Sequence, residues 1–515
     1  MSDSAAGAET SHDVLKRALT ARVADVLPEP TPLDVARGLS VRLGHPVLFK
    51  REDLTPVFSF KMRGAYNRIT ALSEDELARG VIAASAGNHA QGVAFAARKL
   101  GISCRIVMPR TTPSIKVSAV LALGAEIDLV GDSYTDAADF CRGVAEATGA
   151  VQIPPFDDID VIAGQATVGL EILRQAPRDF GSIFVPIGGG GLISGIAAVT
   201  KEIRPDVRVI GVQSTGSDAM KRSLAEGRRI RLDRVDLFAD GAAVKQVGEI
   251  TLELCRKYVD EIVVVSTDEI CAAIQDAFGD TRSILEPAGA LSIAGLKRAH
   301  ALRILPKGPA VAVASGANVP FAKLGYVAER AEVGQLREAI LLVTIPERPG
   351  AFLEFCGVIG DRSITEFNYR LGSRKAADVF VGVEVAGPEE LRALESSFRA
   401  KGYRCDDLSQ DDLAKTHVRH MVGGHSAAAE HEVLYSFEFP ERPGALLEFL
   451  KSMGTRWNIS LFHYRNHGSA FGRVLCGLEV LESQRPELTL ALDALGFEYE
   501  DETESVAARL LLGGG

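Results

Sequence analysis

The chain has 515 residues, 46% of them hydrophobic and 24% charged, with a formal net charge of -11. That length exceeds what one hydrophobic core can organise, so two or more domains are required, and the composition excludes a disordered chain and a fibre. The acidic balance, with no Lys/Arg block, leaves no electrostatic footprint for nucleic acid or an anionic membrane and points to a small-molecule partner.

Early in the chain, SFKMRGAYN sets Lys61 between Phe60 and Met62 in a small, apolar neighbourhood at a predicted helix start. Burial there lowers the pKa of the ammonium group and frees the amine for imine formation with a carbonyl, although a Lys taken alone is nearly always a solvated charge. From Val81 onward short β-branched runs alternate with helical stretches, the signature of βαβ units in a wound, mainly parallel α/β domain over residues 1–330. Where the strand VIAAS ends, SAGNHAQG (Ser85 to Gly92) offers a hydroxyl, an Asn amide and backbone donors that suit a small anion. His89 there reads as a satisfied helix-terminal residue rather than an acid or base.

The strand SIFVPI runs into GGGGLISG (Gly188 to Gly195), where four glycines let the backbone wrap an anion at a helix N-terminus. A structural turn is the competing reading. The Lys-Ser/Thr of a P-loop is missing, the G-x-G-x-x-G spacing fails, and the next strand ends in Gln213 and Ser214 rather than an acid, so one monophosphate fits better than a dinucleotide. SGAN (Ser315 to Asn318) sets another hydroxyl just past the last core strand and by itself reads as a turn.

The rest of the chain repeats itself. PERPGAFLEF at Pro346 recurs as PERPGALLEF at Pro440, and FNYR at Phe367 is answered by FHYR at Phe462. Each copy reads strand, helix, strand, strand, helix, strand, a ferredoxin-like α+β unit, over residues 338–410 and 432–505. A low-hydrophobicity stretch from Ser409 to Glu432 joins them, and its His417, His420, His425 and His431 are too irregularly spaced to predict a metal site. Duplicated scaffold is one reading of the repeat; the other is regulatory, since in each copy Pro-Glu-Arg-Pro-Gly leads into a helix N-terminus, where free N–H groups and an Arg converge in a way that suits an amino-acid sensor. Trp457 reads as a packing residue. The seven cysteines never form a C-x-x-C pair and read as buried apolar residues of a reducing compartment. With no apolar run of about 18 residues and a polar N-terminus, a cytoplasmic protein is expected.

FKMRGA around Lys61, SAGNHAQG, GGGGL and SGAN together resemble the signature set of fold-type II pyridoxal-phosphate enzymes. KREDLTPVFSFKMRGAYN, FADGAAVKQVG, EPAGA and the two ACT-like repeats, in this order, are most similar to the biosynthetic threonine deaminases, and the resemblance spans the whole chain. It implies pyridoxal 5'-phosphate held covalently by Lys61, with Phe60 against the ring, Asn88 on the ring's 3-oxygen, Ser315 at the ring nitrogen, and Gly188, Gly189, Gly190, Gly191 and Leu192 around the phosphate. It further implies L-threonine bound by Ser85, Ala86, Gly87, Asn88 and His89, with its amine near the Gly241 carbonyl, and Lys61 and Ser85 as catalytic residues. The implied reaction is deaminating dehydration to 2-oxobutanoate and ammonia, the entry step of isoleucine synthesis, with serine as a secondary substrate.

The tail implies isoleucine and valine as effectors of a homotetramer, at Arg348, Gly350, Asn368 and Tyr369 and at Arg442, Gly444 and Tyr464. Ala86 stands where related serine racemases have a hydroxyl, which disfavours racemisation. Gln213 and Ala219 replace the acidic cation ligands of those enzymes, so no divalent metal is expected. The alternatives are a serine dehydratase or cysteine-forming synthase of the same fold, and a non-catalytic amino-acid-binding regulator.

Overall fold

The computed structural model describes residues 14–421, 423–424, 426–440, 445–453, 456–465, 471–505, 508 and 512. The chain divides into two compact units, Met1–Ala331 and Glu332–Gly515.

In the first unit, β-branched runs bounded by Gly, Pro and Ser form ten strands. These are β1 Leu33–Val35, β2 Val47–Arg51, β3 Val81–Ala84, β4 Cys104–Met108, β5 Glu126–Leu129, β6 Val151–Gln152, β7 Ser182–Pro186, β8 Arg208–Ser214, β9 Glu261–Val265 and β10 Ala310–Ala314. They make a six-stranded sheet, β1-β2-β10-β7-β8-β9, and a four-stranded one, β5-β4-β3-β6, parallel throughout except for β1 on β2. The near-continuous apolar runs of β3, β7 and β10 are buried along their whole length, as strands covered on both faces must be.

Strand β2 lies between β1 and β10 in the larger sheet, yet it ends in buried Lys50 and Arg51. Partners make this possible. The Lys50 amine donates to Glu171 at 2.5 Å, and buried Arg63 donates to Glu52 at 2.8 Å and Glu171 at 2.6 Å. Arg63 belongs to the helix Lys61–Thr70, so this ionic cluster fixes the helix that begins with Lys61. Small residues press that helix onto the helix Ile159–Gln175: a Cβ at Gly164 would stand 2.6 Å from the Arg63 carbonyl oxygen.

The second unit folds as the repeat predicts. The first copy runs β11 Glu338–Pro346, helix Ala351–Ile359, β12 Ile364–Arg370, β13 Ala376–Glu384, helix Pro388–Ala400 and β14 Arg404–Asp407. The second runs β15 Glu432–Pro440, helix Ala445–Met453, β16 Asn458–Arg465, β17 Phe471–Glu479, helix Arg485–Leu495 and β18 Glu498–Asp501. The copies share a single sheet, β14-β11-β13-β12-β16-β17-β15-β18, because β12 pairs antiparallel with its own counterpart β16. The register is Phe367 opposite Tyr464, Asn368 opposite His463 and Tyr369 opposite Phe462, a two-fold-like match of FNYR to FHYR. Phe367 and Phe462 meet edge to face at 5.1 Å between ring centroids, in a core that runs through both copies.

The connecting stretch is more ordered than its composition suggests. It holds a helix at Asp412–Thr416, and Arg419 is buried with its guanidinium on Glu366 at 2.9 Å. His425 lies outside the described residues. The seven cysteines are buried and free, and among the described residues no helix is long and apolar enough to cross a membrane.

Candidate active site

Three strand ends of the first unit carry the candidate residues, and close backbone contacts bring them together. Lys61 is half-buried and opens its helix. Its amine donates to the Pro155 carbonyl at 2.7 Å and stands 5.3 Å from the Phe60 ring centroid. Burial lowers its pKa to about 8, with the Glu286 carboxylate opposing the fall. The next residue, Phe156, lies against the tetraglycine turn: a Cβ at Gly189 would stand 2.2 Å from its ring and one at Gly191 3.1 Å from its backbone. The Lys61 amine and the turn after β7 therefore share one wall.

Within the turn, Gly190 has φ +104°, a left-handed conformation that a β-carbon disfavours, and caps the helix Gly191–Ile203. The Gly189 carbonyl accepts from Thr251 Oγ at 2.7 Å and from the Gly248 N–H at 3.3 Å. In a trans peptide the Gly190 N–H then points the opposite way, beside the unpaired N–H groups of the first helical turn. Asp157 braces the same wall by capping the helix Glu249–Tyr258 through the N–H groups of Glu249 at 2.9 Å and Ile250 at 3.0 Å.

Ser315, past β10, is buried. Its carbonyl accepts from the Phe60 N–H at 3.2 Å, which sets it beside the residue before Lys61. Ser85, Ala86, Gly87 and Asn88 follow β3, all half-buried. The Asn88 amide is held at both ends: its Oδ1 accepts from Asn318 at 2.7 Å and its Nδ2 donates to Glu286 at 2.5 Å. A Cβ at Gly241 would stand 3.7 Å from that Nδ2, while one at Gly188 would reach Ala242 at 3.0 Å, so the loop Asp240–Ala242 bridges Asn88 to the glycine turn.

His89 is buried with Nε2 on the Ile153 carbonyl at 2.9 Å and with Nδ1 lacking a protein partner. Burial first, and the Lys61 charge second, depress its pKa to about 3, so it is a neutral ring. Gln213 bridges its own turn, donating to the Ser217 carbonyl and accepting from the Lys221 N–H at 2.9 Å.

Sequence reasoning missed several neighbours. Glu286 sat inside EPAGA and Asp240 inside FADGAA, so both motifs were visible without a role for their acids. Pro155, Phe156 and Thr251 carried no signal at all.

In the second unit, Arg348, Gly350, Phe352, Leu450, Trp457 and Ile459 line a cleft between the repeats. The Arg348 guanidinium is engaged by Glu354 at 2.7 Å rather than open to a ligand. Tyr369 donates to Glu347 at 2.5 Å, and Asn458, which lines the cleft, donates to the other oxygen of the same carboxylate at 3.1 Å, a polar link that sequence reasoning did not single out. Asn368 faces elsewhere, donating to the Arg419 carbonyl at 3.1 Å. Tyr464 is half-buried in β16, and Arg442 and Gly444 lie outside the described residues.

A family model for pyridoxal-phosphate dependent enzymes matches residues 25–316, and one for the C-terminal regulatory domain of threonine dehydratase matches residues 329–418 and 423–512. The biosynthetic L-threonine dehydratase of Burkholderia multivorans is 52% identical over 98% of this chain and 99% of its own. That of Escherichia coli is 47% identical over 99% and 98%. The solved processed form of threonine deaminase isoform 2 from Solanum lycopersicum superposes with a TM-score of 0.61 at 46% identity, covering 63% of this chain and 89% of that one. Matched from its glycine turn to its paired tail, the chain belongs to the biosynthetic threonine dehydratase family of pyridoxal-phosphate dependent enzymes.

Proposed function

We infer that this protein converts L-threonine to 2-oxobutanoate and ammonia at the commitment to isoleucine synthesis, under feedback by the end product. The observation that carries the reading is the half-buried Lys61 amine, on one wall with a four-glycine turn. The residues fit pyridoxal phosphate. Lys61 is an amine of lowered pKa, the turn after β7 admits no β-carbon at Gly189, and Ser315 is a neutral hydroxyl. Lys61 would hold the cofactor, Phe60, Asn88 and Ser315 its ring, and Gly188 to Leu192 its phosphate. When bound, the cofactor supplies the electron-withdrawing ring that acidifies the substrate's α-hydrogen and lets the β-hydroxyl leave.

The chain's own residues do the rest. The backbone and hydroxyl of Ser85 to His89 receive the substrate carboxylate at a helix N-terminus, while the Gly241 carbonyl accepts from the substrate amine. Lys61 Nζ, whose pKa burial lowers to about 8, accepts the α-proton as the free amine. Ser315 cannot carry a charge as a carboxylate would, which suits an elimination better than a reaction needing a long-lived carbanion. Serine lacks only a methyl group, a difference of about 1 to 3 kcal/mol, so it is a secondary substrate. An absorbance spectrum of the purified protein, before and after threonine, tests the reading. A cofactor band that threonine perturbs, with 2-oxobutanoate formed, is expected; no band, or no keto acid, would overturn it.

Isoleucine as inhibitor and valine as its antagonist fit the cleft at Gly350 and Trp457, whose apolar walls suit a branched side chain. Arg348, Gly350, Tyr369 and their counterparts Arg442, Gly444 and Tyr464 are the proposed contacts. The proposed assembly is a homotetramer in the cytoplasm.

A further inference from the structure

Glu286 is a buried acid that nothing so far assigns. It directly precedes Pro287, the first residue of the helix Pro287–Ala301, and its N–H donates to the Gly316 carbonyl at 3.1 Å. Its side chain turns into a narrow slot: a Cβ at Gly316 would stand 2.5 Å from Oε1, and one at Gly241 3.7 Å. At the mouth of the slot Oε1 receives the Asn88 amide at 2.5 Å. An ionised carboxylate only accepts, so it dictates which end of that amide faces it, and Asn318 dictates the other end.

A glutamine would satisfy Asn88 without the cost of enclosing a charge, so the hydrogen bond alone does not account for an acid here. The charge itself has neighbours. Lys61 feels it, and Asp240 stands close by with Lys116 at 2.6 Å and Lys323 at 3.6 Å. Burial and then Asp240 push Glu286 up to about 7, while Asn88, Lys116 and Lys323 act against them. His89, the residue after Asn88, is neutral.

We propose that Glu286 is a positioning residue for the deamination, fixing the Asn88 amide and supplying the negative charge that keeps the Lys61 nitrogen protonated until substrate arrives. This rests on the reading of Lys61 as the residue that bears the cofactor. The test is Glu286→Gln in the holoenzyme, following the cofactor's visible absorbance against pH and, separately, kcat and KM for threonine. Loss of a neighbouring anion disfavours the cationic form. The absorbance titration should therefore move to lower pH by about one unit, and kcat should fall about tenfold or more with KM changed far less.

A titration and a kcat both at wild-type values would overturn the proposal. Should Glu286→Gln not fold, Glu286→Asp keeps the charge but withdraws it from Asn88. It should leave the titration in place while lowering kcat, and an unchanged kcat would overturn the proposal equally. A wild-type protein with no cofactor band would instead remove the Lys61 reading on which the proposal stands, so the two failures are distinguishable.

Discussion

Lys61, His89 and Glu286 are ionisable groups enclosed in the first unit, each with a pKa moved chiefly by burial. The cleft of the second unit is walled instead by Phe352, Leu450, Trp457 and Ile459, and its Arg348 is half exposed and paired with Glu354. A site that makes and breaks bonds draws on the cost of holding charge out of water. The proposed sensor cleft would draw instead on shape and on a bistable contact.

The largest expected break in this contrast is Lys61→Ala, which should abolish both the cofactor band and keto-acid formation while the second unit still binds isoleucine, as calorimetry would report. The converse cut ends the chain near Glu332. Isoleucine should then lose all effect on the initial rate, and equal inhibition of the cut and intact chains would refute a sensor in the tail.

Gly189→Ala comes next. Its β-carbon meets the Phe156 ring at 2.2 Å, so overpacking should cost about 1 to 3 kcal/mol, seen as cofactor lost on dialysis or a lower denaturant midpoint. Tyr369→Phe removes the hydroxyl from Glu347 and should move the isoleucine half-inhibition point about fivefold, worth about 1 kcal/mol, with turnover unaltered.

The remaining expectation concerns acid stability. His89 is depressed from 6.5 to about 3, so its contribution is fully present above pH 6.5 and lost as the pH falls toward 3. Glu286, raised from 4.5 to about 7, acts with the opposite sign between those values. The two offset each other down to about pH 4.5, and below it the share of stability held by His89 should fall by about 1.4 kcal/mol per pH unit, toward pH 3. His89→Gln should flatten that limb in a pH series of denaturant melts.

Much of the candidate site was legible because Ser85, Gly188 and Ser315 stand just past strand ends and Lys61 at a helix start, where small residues and broken periodicity announce them. The βαββαβ order of the tail was legible from a repeat too long to arise by chance. Strand β2 was not, since Lys50 and Arg51 make it look like a loop until Glu171 and Asp53, distant or turned back in sequence, are seen to neutralise them. Glu286 hid for the same reason: an acid before Pro at a helix start reads as a favourable first-turn charge, and only the tertiary slot shows where it points. The joining of β12 to β16 left no trace, because pairing between copies depends on edges that carry no composition of their own.

That join has a mechanical consequence. Alternate residues of β12 serve opposite faces, Phe367 and Tyr369 toward the aromatic core and Asn368 toward Arg419. A slip of one residue along β16 would turn both rings outward and strand Asn368 among apolar groups. The seam between the repeats is therefore locked against sliding, and any signal that an amino acid sends through this half of the protein must travel as a tilt of the whole eight-stranded sheet or of the helices riding on it.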